Sequence, residues 1–340
     1  MFLCPNCFAD IEIKSYIKSF SSETGFCKYC GKETVELLPV NEILDFFEEL
    51  LSLYEKEATG VYLIKLINQE WTLFSNDTVA TNILNDILPL SGFKSWTVTT
   101  KVKYINEIEE NISYWEQLKE SLKWERRFLV EMENIEDLEW DNFFKDQITF
   151  TETERFYRAK IHYREGLPTM SKKEMGCPAK ELVSGGRGNP QGIPYLYLSK
   201  MPLTTFYETR VLLHDEVSIG EFKVKTGEEL KIVDFTEKGS AFTGVGNLKS
   251  HTKAIRLKEL IGKDLSKPIR RYDSNIEYVP TQFICEFIRF VIGADGILFN
   301  SSLHPTGQNL VVFNHDKLEC INVTKKVVNE LKINYHDSIY

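Results

Sequence analysis

The chain has 340 residues, of which 42% are hydrophobic, 12% aromatic and 27% charged, a length and composition that suit two or three folded domains and exclude a disordered protein. A net charge of -9 and a pI near 5.4 give no general attraction to phosphate backbones or anionic lipid, so nucleic acid is not the expected partner. No window approaches the roughly 18 apolar residues of a membrane span, and Met1-Phe2-Leu3-Cys4-Pro5 lacks a basic segment followed by an apolar run; a cytoplasmic protein that avoids membranes is expected.

Seven cysteines, four of them in a tight cluster, look unlike a disulfide framework. Cys4-Pro5-Asn6-Cys7 and Cys27-Lys28-Tyr29-Cys30 form two CxxC pairs with nineteen residues between them. At that spacing four thiolates converge on one zinc ion, which predicts a zinc ribbon over residues 1–36. Four cysteines would close the coordination sphere, so Zn2+ is expected to be structural, and the loop with Ile11, Ile13, Tyr16 and Ile17 would owe most of its folding energy to it. With an acidic chain, a folding module or protein-docking cap is the expected role, ahead of nucleic-acid recognition.

From Asn41, read as an N-cap, Ile43, Leu44, Phe46, Phe47, Leu50, Leu51 and Tyr54 fall at helical spacing. Ile105, Ile108, Ile112, Trp115, Leu118 and Leu122 do the same, and residues 60–74 and 83–88 read as further buried helices or short strands. Residues 37–147 are therefore expected to form a mainly α-helical domain. Around Ile148–Thr153 the chain becomes extended, and period-two alternation mixed with helices runs on from there. The turn Ser184-Gly185-Gly186-Arg187-Gly188-Asn189-Pro190 has neither the ending of a P-loop nor the glycine order of a Rossmann turn.

Four segments in order resemble the RES domain family: Arg155-Phe156-Tyr157-Arg158-Ala159-Lys160; residues 186–198 with Gly-Arg-Gly-Asn-Pro at their start; Thr204-Thr205-Phe206-Tyr207-Glu208; and residues 293–301 running on to Asn309-Leu310-Val311-Val312-Phe313. The resemblance implies an α+β, ADP-ribosyltransferase-like domain over 148–340, built on a curved antiparallel sheet and preceded by the helical domain and the small zinc ribbon. By position it places the family's arginine on Arg158, its glutamate on Glu208 and its serine on Ser301, with Tyr197 matching a strand tyrosine. Proteins similar to these consume NAD, by hydrolysis, phosphorolysis or transfer of ADP-ribose to a protein, and act as toxins or stress effectors. In this company residues 37–147 look like the HEPN-related helical domain that precedes RES in some proteins. An RNase role is disfavoured, since no histidine has an arginine five positions before it.

The residue types suit that chemistry. Nicotinamide leaves a cationic ring as a neutral molecule, so the reaction needs negative charge beside the developing oxocarbenium more than it needs a general acid, and Glu208 supplies a carboxylate. Arg158 is the expected clamp on the diphosphate, with Arg187 and Asn189 of the turn as further contacts. Tyr157 or Tyr197 would stack on a ring, Ser301 would hold a ribose or phosphate oxygen, and the glycine amides of the turn would approach an anion. Taken singly, Glu208 and Arg158 read as solvated or ion-paired side chains, Ser301 as a turn cap and Tyr197 as strand filling. His304 is placed near the pocket only by its closeness to Ser301, and Cys177, Cys285 and Cys320 are read as incidental thiols.

The expected protein is an NAD-degrading enzyme, a glycohydrolase or phosphorylase, serving as a toxin or antiphage effector. The alternatives are a protein ADP-ribosyltransferase and a non-catalytic nucleotide-binding module docked through the zinc ribbon. The N-terminal modules are the expected seat of an inhibitory or activating protein partner, or of homo-oligomerisation.

Overall fold

In a computed structural model of the chain, residues 1–129, 135, 138–268 and 275–332 are described. They form two compact units, Met1–Glu116 with Lys238–Leu257, and Gln117–Glu237 with Lys258–Tyr340. Among the described residues no helix is long and apolar enough to cross a membrane.

The first unit opens with β1 (Phe2–Leu3), α1 (Ile11–Phe20), β2 (Glu23–Gly25) and β3 (Val35–Pro39), the strands ordered β1-β3-β2 and antiparallel. Asp10 caps α1 by accepting from the Ile13 amide, which sets Ile13 and Ile17 one turn apart on the buried face and leaves Ile11 in solvent. The expected core of this module is therefore narrower than its apolar residues suggested. It is also shared: Leu3, Phe8, Ile13 and Leu38 belong to the same buried cluster as Phe47, Leu84 and Ile108, and Phe8 stacks on Phe74 at 5.6 Å. The cysteine module thus has an apolar anchor beside any metal it binds.

Next come α2 (Leu44–Ser52), β4 (Tyr54–Tyr62), α3 (Leu63–Trp71), α4 (Asp77–Ile87), β5 (Lys101–Tyr104) and α5 (Asn106–Trp124). The helix expected from Asn41 starts later, after a 3-10 turn at Val40–Ile43, and Tyr54 lies on β4. Asn41 caps nothing, because the turn already carries the chain past it. The β4–β5 pair also interrupts the expected helical run; its register shifts between Lys56 and Val61, where a Cβ on Gly60 would lie 2.4 Å from the Val102 carbonyl oxygen. The second run is helical as expected, with Ile108, Trp115 and Leu122 buried.

The second unit contains the short α6 (Trp140–Phe143), β6 (Ile148–Phe150), β7 (Phe156–Ile161), β8 (Leu196–Ser199), α7 (Pro202–Thr209), β9 (Glu216–Val224), β10 (Leu230–Asp234), α8 (Leu248–Ser266), α9 (Val279–Phe287), β11 (Gly296–Asn300), β12 (Gln308–Val312) and β13 (Leu318–Val327); the first part of α8 belongs to the first unit. One eight-stranded sheet runs β13-β9-β7-β8-β12-β11-β10-β6. It is antiparallel except for β10 beside β11, so the expected antiparallel sheet carries one parallel pair. Gly296 on β11 has no room for a side chain, since a Cβ there would lie 2.3 Å from the Val311 carbonyl oxygen. At the head of β11, buried Asp295 accepts from the Lys231 amide, Asn314 Nδ2 and Lys317 Nζ, and so ties three segments of the sheet together.

Alternation gives the sheet two faces. Phe156, Leu196, Leu198, Phe222, Leu310 and Val312 cluster on one, while Ala159, Val217 and Ile219 cluster with Phe206 of α7 on the other. The feature that positions the site lies mid-sheet: β7 and β8 pair only at Tyr157 and Ser199. Beyond that pair the neighbouring strands part.

Candidate active site

The parted strands β7 and β8 and helix α7 enclose a cavity of about 370 Å³ lined by Tyr157, Arg158 and Ala159, by Tyr197 and Ser199, and by Thr205 and Glu208, among others. The register explains how both sheet faces reach it. Tyr157 lies opposite Ser199, so alternation turns Arg158 towards the other face, the one bearing Phe156 and Met175. Arg158 still borders the cavity because no strand pairing closes the sheet at that point. The expected arginine and glutamate therefore line one hollow.

Arg158 is largely buried, and one guanidinium nitrogen donates to the carbonyls of Met175 (3.2 Å) and Gly176 (2.8 Å). Its cross-strand partner is Gly220, where a Cβ would press on Met175 at 3.1 Å, so the missing side chain leaves space for the segment that holds the arginine. Among the described residues no carboxylate pairs with Arg158, and burial pulls its pKa down, with only the Cys177 thiol opposing. A cation held this way favours an anion in the adjoining cavity.

Glu208 sits in the last turn of α7, which ends at Arg210 in a left-handed conformation (φ 52°). A carboxylate at a helix C-terminus opposes the helix dipole, so something else must hold it there. Two donors do: Ser301 Oγ and Asn309 Nδ2, each 2.6 Å from the same oxygen, Oε1. Oε2 has no hydrogen-bond partner among the described residues. Strand β12 and the turn that follows β11 thus fix a solvent-reachable carboxylate at the cavity wall.

Ser301 also accepts from the amides of Leu303 (3.2 Å) and His304 (3.0 Å). Both readings of it meet here: it caps a turn, and its proton goes to Glu208. It does not line the cavity, so the hydroxyl expected to hold a substrate oxygen is spent on positioning the acid.

The glycine-rich turn is closed by its own bonds. Tyr197 donates to Asn189 Oδ1 (2.7 Å) and accepts from the Gly188 amide (2.9 Å); Asn189 Nδ2 donates to the carbonyls of Ser184 and Pro190; the Gly186 amide donates to the Asn189 carbonyl. Helix α9 pins the turn from outside through Thr281 onto Arg187 O and Gln282 onto Gly186 O. The amides of Gly186 and Gly188 are therefore committed, contrary to the expected anion cradle, and Asn189 is a buried staple away from the cavity lining. Tyr197 borders the cavity with its hydroxyl locked, and its burial raises the phenol pKa. Gly186 leaves that hydroxyl room, since a Cβ there would lie 2.9 Å from it.

Arg187 emerges as more central than its place in the turn suggested. It lines this cavity and a second one of about 350 Å³, which adds Arg210, Ser266, Asn300 and Ser302, and the two share Arg187, Glu208, Tyr278, Phe299 and Asn309. Its guanidinium donates to the Leu265 carbonyl and lies 5.9 Å from the Phe299 ring centre. Tyr157 lines the first cavity. His304 does not: it stacks on Tyr207 at 4.9 Å and bonds Thr204.

Sequence reading missed Ser199, Tyr278, Phe299 and Asn309. Ser199 and Asn309 carried a usable signal, being polar residues at the ends of apolar strand runs, and both are buried. Tyr278 carried none.

In the first unit, the four sulfurs of Cys4, Cys7, Cys27 and Cys30 lie within 4.8 Å of one another, with Cys4 and Cys7, Cys4 and Cys30, and Cys7 and Cys27 3.4 to 3.6 Å apart. Cys4 is held well below the usual thiol range, to about 5, by the hydrogen bond with Cys7, and the same bond pushes Cys7 up. Four thiolates at this spacing need a cation between them, and the donor set fits a soft tetrahedral ion. Among the described residues no other His, Cys, Asp and Glu group has that geometry.

The Tyr197 hydroxyl makes a direct prediction. Tyr197→Phe leaves the Gly188 amide and one Asn189 lone pair without a partner, so the variant should lose about 1 to 3 kcal/mol of stability. Urea unfolding of the variant against wild type measures it.

The RES domain family matches residues 155–332, just over half of the chain. No curated protein matches it. Among solved structures, a chain of the M. tuberculosis MbcT-MbcA toxin-antitoxin complex aligns at a TM-score of 0.34 with 15% identity, over 55% of this chain and 91% of that one.

Proposed function

Because the chain belongs to the RES domain family, we propose that residues 148–340 bind NAD and break its bond to nicotinamide, releasing ADP-ribose to water or phosphate. The observation that carries this reading is that, among the described residues, Arg158, a half-buried guanidinium without a carboxylate partner, and Glu208, a carboxylate with one unengaged oxygen, line the same cavity.

Each group has a task in that reaction. The diphosphate supplies the anion that Arg158 lacks, in a charge-assisted geometry lysine would not reproduce. Arg187, which borders both hollows, is placed to meet the same diphosphate or the ribose beside it. Tyr157 and Phe299 offer ring faces for the bases. At the far end, Oε2 of Glu208 faces the ribose carbon as the glycosidic bond lengthens. Its negative charge stabilises the oxocarbenium, and the electron pair of the breaking bond neutralises the pyridinium as nicotinamide leaves.

The functional modules are taken as residues 1–36, 37–147 and 148–340, with Cys4, Cys7, Cys27 and Cys30 holding a structural Zn2+ and the N-terminal modules restraining an activity that would otherwise drain the cell of NAD. A toxin or antiphage role with a neutralising partner follows from the need for that restraint.

Incubating the pure protein with NAD, with and without phosphate, and following nicotinamide and ADP-ribose products by mass tests the reaction. Glu208→Gln keeps the hydrogen-bonding shape but removes the charge, and should cut nicotinamide release by about a thousandfold or more; a variant that turns over normally contradicts the mechanism. For the metal, the Cys27→Ser, Cys30→Ser double variant should come out of purification without zinc, whereas wild type carries one ion per chain by elemental analysis. Full zinc retention by the double variant refutes the assignment.

A further inference from the structure

The geometry assigns Asn309, aimed by Ser199, as the positioning residue that makes Glu208 act through one chosen oxygen; the assignment rests on the proposed NAD cleavage. Asn309 and Ser199 are directly opposite on β12 and β8, so their side chains share a face, and Glu208 reaches down to that face from α7. The chain of bonds runs from Ser199 Oγ to Asn309 Oδ1 (2.7 Å) and from Asn309 Nδ2 to Glu208 Oε1 (2.6 Å).

The direction of these bonds is forced by chemistry. An ionised carboxylate only accepts, so the amide nitrogen of Asn309 must face Glu208 and its oxygen must face Ser199, whose hydroxyl then donates. Ser199 is what distinguishes the two ends of the amide: without its proton the carbonyl of Asn309 has no partner in a buried place, and the reason for the amide to hold this orientation is gone.

The consequence is geometric as well as electrostatic. Both donors, Ser301 and Asn309, bind Oε1, which fixes the carboxylate and leaves Oε2 without a partner among the described residues, on a side chain that lines both cavities. A carboxylate on a helix end, facing partial negative charge, would otherwise turn into solvent. Asn309 therefore acts on the reacting carbon through Glu208, and its loss should lower turnover far more than substrate affinity.

Steady-state nicotinamide release by wild type, Asn309→Asp, Ser199→Ala and Ser199→Thr tests this. Asn309→Asp keeps the shape but sets a second carboxyl group against Glu208, so that the pair holds one proton and the full charge of Glu208 is lost; it should lower kcat about 10- to 100-fold with KM within about threefold of wild type. Ser199→Ala should lower kcat by less, and Ser199→Thr, which restores the hydroxyl, should return it towards wild type. Wild-type kcat in Asn309→Asp, or a Ser199→Thr no better than Ser199→Ala, overturns the assignment while the NAD reaction stands. A wild-type protein that releases no nicotinamide removes both the reaction and the assignment.

Discussion

Burying a guanidinium costs several kcal/mol unless an anion meets it, and among the described residues the half-buried Arg158 donates to the carbonyl oxygens of Met175 and Gly176 and to no carboxylate. The fold puts it in that position by construction. It stands on an interior strand, turned to the face opposite Ser199 and Asn309, and it borders the cavity because β7 and β8 share a single pair. Every other feature of the site is arranged around the hollow that this parting opens: α7 hangs Glu208 over it, β12 and the turn after β11 supply the donors that hold Glu208, and the glycine-rich turn closes one side.

The division of labour among the polar residues of the site differs from what their chemistry alone suggests. Arg158 and Glu208 present atoms to the cavity, whereas Ser301, Asn189 and the hydroxyl of Tyr197 are consumed in holding other groups. A polar side chain in a buried network is most often a strut, since each bond it makes is one fewer for a ligand. The turn from Ser184 to Pro190 is a case in point: its glycines are needed so that Tyr197 and Asn189 fit against the backbone.

The motif order from Phe156 to Phe313 was enough to place Arg158 and Glu208 in one cleft, because strand alternation and a short β8–α7 connection carry that geometry locally. The four cysteines were equally legible, since two CxxC turns at that separation bring the sulfurs together. What stayed hidden depends on distant partners. Asn309 meets Glu208 across 101 residues, and Arg187 meets Leu265 across 78. Nor does periodicity foresee β4 and β5: it puts Tyr54 on a helix and leaves residues 60–74 open between buried helices and short strands, while Gly60 and Val102 allow a close strand pair. The start of α2 departs from the expected one for a related reason: Asn41 is a good capping residue, but it lies inside the 3-10 turn Val40–Ile43 that precedes the helix.

The central claim is that one dinucleotide spans Arg158 and Glu208. A crystal structure of the Glu208→Gln variant with NAD tests it most directly. The account predicts diphosphate oxygens within hydrogen-bonding distance of the Arg158 guanidinium and the nicotinamide-bearing ribose against position 208. NAD bound outside this cavity, or bound in it with its diphosphate turned away from Arg158, would contradict the account.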